Sequence, residues 1–287
     1  MAQEKNQILN PSVADAVAAG GNIPFNNGGS AYASHGNSDF SYEIKGENSQ
    51  YVEIKLNPGK SIIGEIKALL YYEAGIKMKI RTSLQTDTKK SFVTKLLGIG
   101  KAALNRQTLF MMHFTNVTQK QLIIAFSMPY SGTVMPIDLN SVGNKLICQN
   151  ESLLCSSSDL IMALATPQDI GSTFLMSSIS MQKIEGRGTL FLFCGGSLVQ
   201  KTLVNGSPLH VTTGSILALQ KGVKLTTKTI MNVGLTGQAH SLTELSGAGL
   251  VWVQSLPYKR VKDTLIEHVR GVFGLKPKRV NPIWGNK

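Results

Sequence analysis

The chain has 287 residues, of which 42% are hydrophobic and 16% are charged, so it can bury a substantial core. Its net charge of +12 is concentrated in two segments: residues 77–106 carry eight basic residues and one acidic residue, and residues 258–287 carry eight and two. A localised basic excess is typical of contact with an anionic partner, such as phospholipid, nucleic acid or an acidic protein, and the alternative is that it serves solubility alone. No apolar run approaches the ~18 residues of a membrane-spanning helix.

Residues 1–39 are rich in Gly, Asn, Ser and Ala, which predicts a flexible N-terminal arm. The first residues lack the apolar stretch of a secretory signal, which favours a cytoplasmic protein that is not secreted. The three cysteines (Cys148, Cys155 and Cys194) form no C-x-x-C motif, and they are expected to be reduced and buried.

Residues 40–257 alternate apolar and polar residues with period two between Gly-containing turns, which predicts a mostly β body. Residues 56–80, 139–157 and 203–225 share one pattern, a Gly turn followed by two short strands. We therefore expect three related β units in a compact β-sandwich or prism around a common core. Their irregular spacing favours a closed three-unit body over an open solenoid. Two later stretches are predicted to be hairpins, with turns at residues 186–188 and 247–249.

Two segments have helical periodicity instead: an insertion at about 86–106 and a C-terminal segment at about 259–274, within a basic helix and tail that span 258–287. Their predicted contacts with an anionic surface are Lys89, Lys90, Lys95, Lys101, Lys276, Lys278 and Arg279, and the predicted membrane-interface apolar residues are Phe92, Val93, Leu96, Leu97 and Trp284. An apolar face beside several lysines is typical of a helix that lies in a membrane interface. The alternative is that both helices pack on the β body.

Catalytic and metal-binding patterns were not found in the sequence. No two of the five histidines have metal-motif spacing, there is no G-x-S-x-G motif, and "LLGIGKAAL" lacks the first Gly and the Ser/Thr of a phosphate loop. Trp252 and the Tyr71–Tyr72 pair are expected in a core or an interface. We therefore predict no catalytic, cofactor or metal residues and a protein that is not an enzyme.

Several segments occur in an order that resembles a known family. They include "LNPGKSIIGE", "ALLYYEAGIKMKIRT", "MPYSGTVMPIDL", "EGRGTLFLFCGGSLVQKTL", "VTTGSILAL" and "LSGAGLVWVQS". The set is similar to the family of bacterial proteins related to yeast altered inheritance of mitochondria protein twenty-four, a mitochondrial biogenesis family. The resemblance implies a fold like that of the tryptophan-RNA-binding attenuator protein and no established catalytic activity. The yeast relative is tied to organisation of the mitochondrial inner membrane. The chain departs from the pattern at Gln107-Thr108, where Gly-Glu usually stands.

These observations favour a non-enzymatic oligomeric scaffold or assembly protein, associated with a membrane surface through its basic amphipathic segments. A homo-oligomer is expected, with a trimer favoured from the resemblance and from the strand edges that a partly open β body must cover. An anionic membrane surface or a partner protein is the expected contact. One alternative is a nucleic-acid-binding module, which is less favoured because the basic segments lack interleaved aromatic residues. Another is a small-molecule-binding or metal-dependent cupin-like protein.

Overall fold

The computed structural model describes residues 39–82, 110–171, 180–229 and 241–273. These residues form a mostly β body and a C-terminal helix. The strands are β1 (Phe40–Lys45), β2 (Tyr51–Leu56), β3 (Ser61–Gly64), β4 (Leu69–Tyr72), β5 (Ile76–Thr82), β6 (Phe110–Asn116), β7 (Leu122–Ser127), β8 (Gly132–Asp138), β9 (Lys145–Gln149), β10 (Leu153–Ser157), β11 (Ile161–Leu164), β12 (Met181–Glu185), β13 (Thr189–Gly195), β14 (Leu198–Leu203), β15 (Leu209–Thr212), β16 (Ile216–Gln220), β17 (Lys224–Thr229), β18 (Ser241–Ser246) and β19 (Gly249–Gln254). The α-helices are α1 (Pro167–Ile170) and α2 (Tyr258–Val272).

The described strands form four antiparallel sheets. Sheet A has the order β1-β2-β7-β4, sheet B β5-β6-β3-β10-β13-β8, sheet C β11-β12-β9-β16-β19-β14, and sheet D β15-β18-β17. This arrangement confirms the predicted mostly β fold with a C-terminal helix. The predicted insertion helix at 86–106 lies outside the described residues.

The sheets are built from one six-strand unit that occurs three times. In each unit the first, third and sixth strands lie in one sheet, and the second, fourth and fifth strands lie in the next sheet. The units are β2–β7, β8–β13 and β14–β19, with β1 as an addition to the first. Sheets B and C are therefore each assembled from halves of two successive units, whereas A and D contain one half each.

The three repeats predicted from sequence correspond to the same feature in each unit, which we call the corner. A corner consists of two strands in different sheets joined by a short 3-10 helix: β3 and β4 by Ile66–Ala68, β9 and β10 by Asn150–Ser152, and β15 and β16 by Thr213–Ser215. Each second strand also contains a bulge at the same place, between its first and third residues. The three corners are thus structurally equivalent residue by residue.

The core is divided into three apolar clusters, so the predicted common core is wrong. One cluster includes residues of sheets A and B, such as Ile54 and Ile62; a second includes residues of B and C; the third includes residues of C and D. Adjacent residues of one strand contribute to different clusters: Phe191 belongs to the first and Leu192 to the second. Alternate side chains of a strand point to opposite faces, so sheet B is buried on both faces between A and C.

The two predicted hairpins are also wrong. β12 pairs with β9 and β11 in sheet C, while β13 pairs with β8 and β10 in sheet B. Similarly, β18 lies in sheet D and β19 in sheet C. The turns at residues 186–188 and 247–249 are present, but they carry the chain from one sheet across the core to the next. The sequence pattern identified the turns and not the sheets that they connect.

Candidate functional site

The best candidate for a contact surface is helix α2, which begins where the β body ends. Pro257 is buried, and the Tyr258 ring stacks on Tyr130 with centroids 5.2 Å apart. Tyr130 in turn forms a T-shaped ring contact, with centroids 5.1 Å apart, with Phe193, a fully buried residue of the first core cluster. Burial raises the pKa of Tyr130 to about 12, so its ring remains a neutral anchor. The first turn of the helix is thereby held against the body.

Beyond that anchor the apolar stripe of α2 is exposed. Leu265 is 62% exposed, Val269 43% and Val272 68%, at the spacing of one helix face, and Phe273 just past the helix is 70% exposed. The same face carries Lys262, whose Nζ lies 5.9 Å from the Tyr258 ring centroid. The helical periodicity predicted for about 259–274 rests on these four apolar residues, Leu265, Val269, Val272 and Phe273. Their exposure disagrees with the alternative in which this helix packs on the β body.

The site residues predicted from sequence all lie outside the described residues. They are Lys89, Lys90, Lys95, Lys101, Phe92, Val93, Leu96 and Leu97 in the insertion, and Lys276, Lys278, Arg279 and Trp284 in the tail. The structure neither brings them together nor separates them. The part of the predicted basic appendages that it describes is α2.

A second candidate is a cleft of about 630 Å³ beside α1, lined by Lys145, Asp169, Lys221 and Lys224 among others. Asp169 accepts hydrogen bonds from the Lys145 ammonium at 2.8 Å and from the Thr166 hydroxyl and backbone amide. Burial alone would raise the pKa of Asp169, but these donors outweigh it and hold the pKa below its usual value. The carboxylate is therefore a satisfied helix cap and ion-pair partner, which is a structural role.

Among the described residues, the thiols and the acidic and histidine side chains form no group suited to metal binding or to attack by a thiolate. Cys148, Cys155 and Cys194 are free and buried, as predicted, and burial raises the pKa of each thiol, so thiolate is scarce at neutral pH. Across the described ranges, no group of three or more His, Cys, Asp or Glu side chains could hold a metal ion. His210 Nε2 lies 3.2 Å from Glu244 Oε2.

A third feature is the exposed edge of β4, which carries the Tyr71–Tyr72 pair. The sequence predicted only that this pair lies in a core or an interface. Leu70 is 52% exposed, and Tyr71 and Tyr72 are each 41% exposed. The Tyr71 hydroxyl donates to Glu53, which also accepts from Lys45. Burial alone would raise the pKa of Glu53, but the two hydrogen bonds lower it. The hydrogen bond to Glu53 is the main cause that raises the pKa of Tyr71 to about 12. Trp252, the other aromatic residue expected in a core or an interface, is buried in the core, and its Nε1 donates to Gln200 Oε1 at 3.0 Å.

The repeated β architecture has a match among protein families. A family model described as mitochondrial biogenesis AIM24 matches residues 42–256, which is most of the chain and nearly all of the β body. The chain belongs to this family. The match confirms the resemblance drawn from the ordered sequence segments.

One solved structure supports the fold of this AIM24-family chain. The X-ray crystal structure of protein SPYM3_0169 from Streptococcus pyogenes is similar with a TM-score of 0.58 at 17% sequence identity. The match covers 80% of this chain and 99% of that one. No curated protein matched the chain. The likeness therefore concerns the fold, and the family description connects the chain with mitochondrial biogenesis. Within the described residues, no helix combines the length and the apolar character needed to cross a membrane.

Proposed function

We propose that this AIM24-family chain is a non-enzymatic, homo-oligomeric assembly protein that attaches to an anionic membrane surface through α2 and its basic segments. The exposed apolar stripe of α2 is the observation that carries the proposal. A helix anchored at one end, with Leu265, Val269 and Val272 in solvent, has an apolar face with no cover in the described chain. The interface of a lipid bilayer would bury such a face.

Charge supports a membrane over a neutral apolar partner. Residues 258–287 carry eight basic residues against two acidic ones, and residues 77–106 carry eight against one. Each basic residue near an anionic leaflet contributes about 1 kcal/mol, so a cluster supplies useful binding energy where a single residue would not. Asp169 is held in an ion pair with Lys145 and the three thiols are buried, so these groups are poorly placed to act on a substrate.

Flotation with lipid vesicles tests the proposal. The full chain is mixed with phosphatidylcholine vesicles, with and without phosphatidylglycerol, at low and at physiological salt. We expect flotation only with the anionic vesicles, and more at low salt because screening weakens surface charge interactions. Burying a Val or Leu side chain contributes about 1.5–3 kcal/mol. Replacing Leu265, Val269 and Val272 with Gln should therefore lower partitioning at least 100-fold, which corresponds to about 3 kcal/mol.

The matched control changes the same helix without removing the stripe. Thr264→Gln with His268→Gln alters two exposed positions of α2 and should float like the wild-type chain. Changing Lys89, Lys90, Lys95 and Lys101 to Gln tests the insertion and should weaken vesicle binding most at low salt, where the charge interactions are least screened. If the wild-type chain stays with the soluble fraction, or if the stripe variant floats equally well, membrane attachment through α2 is wrong. Retention of single-stranded RNA on a filter at physiological salt would favour the nucleic-acid alternative instead.

A further inference from the structure

The six-strand unit predicts how sheets continue beyond one chain. In sheet B the halves of two successive units meet where β3 pairs with β10, and in sheet C they meet where β9 pairs with β16. In both cases the first strand of one corner pairs with the second strand of the following corner. At the two ends of the series, the same rule predicts that β15 of the third unit pairs with a strand equivalent to β4 of the first unit.

These two strands are at open edges in the described chain. β4 is the last strand of sheet A and pairs there with β7, and β15 is the outer strand of sheet D and pairs there with β18. Sheets B and C separate A from D, since the three apolar clusters lie between A and B, B and C, and C and D in turn. The predicted closure of three units within one body is thus not made by strand pairing in the described residues.

The bulge fixes the register with which the two edges would meet. In β10 the residue after the bulge, Cys155, lies opposite Gly64, and in β16 the equivalent Ala218 lies opposite Cys148. In β4 the residue after the bulge is Tyr71. Counting back from the 3-10 helix of each corner, the position of Gly64 and Cys148 is occupied by Val211 in β15. Tyr71 would therefore oppose Val211, and Tyr72 would oppose His210.

The bulged residue shows what the junction would bury. It is Leu154 in β10 and Leu217 in β16, and both are fully buried, each in the cluster that belongs to the preceding unit. In β4 it is Leu70, which is 52% exposed. Leu70 has the same side chain at the same place in the corner, but no preceding unit covers it in the described residues.

We propose that a second copy of this chain covers the edge: β15 of one copy pairs antiparallel with β4 of the next, so that sheets D and A become one continuous sheet. The inference rests on the proposed homo-oligomeric function and specifies its interface. Main-chain hydrogen bonds along the edge supply affinity, and Leu70 with Tyr71 enters the third apolar cluster of the neighbouring copy. Because different surfaces meet, the contact is heterologous, and it gives a closed ring or a filament according to its rotation.

Cysteine pairs placed across the junction test the register. Tyr72 is 41% exposed and the side chain of His210 is 49% exposed, so neither change creates a cavity. Directly opposed residues of antiparallel strands have Cβ atoms about 4.5–5.5 Å apart, within reach of a disulfide or a short bis-maleimide. The native thiols are buried and contribute little background. A Tyr72→Cys chain mixed with a His210→Cys chain should give a covalent dimer on oxidation.

The control is Ile161→Cys, which lies 66% exposed on β11, an edge strand of sheet C that the rule does not place at a junction. Mixed with His210→Cys, it should give at least tenfold less dimer with either reagent. The Tyr72→Cys, His210→Cys double variant should give a ladder or a covalent ring. A covalent monomer formed within one chain would overturn the proposal.

Light scattering of the same samples separates the two hypotheses. If the chain is oligomeric but the Tyr72/His210 mixture crosslinks no more than the control, the β4–β15 junction is wrong and the oligomeric assembly function stands. If the chain is monomeric at micromolar concentration and no crosslink forms, both are wrong. A dimer that crosslinks at the expected positions supports both.

Discussion

Leucine-to-alanine changes at the three bulge positions should separate packing inside the chain from packing between chains. Leu154 and Leu217 are fully buried, and the structure around such sites relaxes only in part when atoms are removed. Each Leu→Ala change there should lower the free energy of unfolding by about 2–5 kcal/mol. At Leu70 the same change in a dilute, dissociated chain should cost less than about 0.5 kcal/mol, because the side chain is already half in water.

The assay is thermal unfolding followed by circular dichroism over a range of protein concentrations. At nanomolar concentration Leu154→Ala should lower Tm by several degrees, and Leu70→Ala should match the wild-type chain. At high micromolar concentration the wild-type Tm should rise, since association stabilises the folded form by mass action, and Leu70→Ala should lose that rise. If Leu70→Ala unfolds as early as Leu154→Ala when dilute, Leu70 is already packed within a single chain, and its role in a contact between chains is refuted.

Two further changes probe the body. Gly64→Ala would place a methyl group 2.4 Å from a ring carbon of Phe126, so it should lower the free energy of unfolding in urea by about 1–3 kcal/mol. Adding Phe126→Leu should recover part of that loss, and no recovery would contradict a steric cause. Asp169→Asn should lower the free energy of unfolding by about 2 kcal/mol at pH 7. Because the folded-state pKa of Asp169 is lowered, its contribution is present above the ordinary Asp pKa of about 3.9 and is lost as pH falls below it. Wild-type and variant stabilities should therefore converge under acid conditions, and a constant difference would refute the ion-pair explanation.

The sequence predicted features that depend on a few adjacent residues. The turn glycines Gly59, Gly143 and Gly206 have φ of 72°, 83° and 86°, a region that disfavours residues with a Cβ, so their recurrence marked the three corners. Helix α2 was also predicted, because its 3.6-residue periodicity begins directly after Pro257. Both signals are local, and neither depends on which strands pair.

Strand pairing could not be predicted in the same way. Leu190 to Cys194 is a continuous apolar run, which indicates a strand buried on both faces but names neither neighbour. The turn between β12 and β13 looks like a hairpin turn, yet its strands pair with distant parts of the chain in two sheets. The division of the core into three clusters follows from that pairing. It could not be predicted from the sequence either, because local patterns do not show which strands pair.

The candidate interface shows why residue type alone did not predict whether the edge strands of the first and third units lie in a core or in a contact between chains. In repeat architectures the terminal units usually carry polar caps, because no neighbour covers them. Here β4 keeps Leu70, Tyr71 and Tyr72 at an exposed edge, whereas an isolated chain would be better protected by charged or polar residues there. An uncapped apolar edge is costly for a monomer and is expected for a chain whose terminal units are internal in the assembled form. The polar pair His210–Glu244 on β15 and β18 makes the other edge less apolar, which gives the two ends different surfaces and suits a head-to-tail contact.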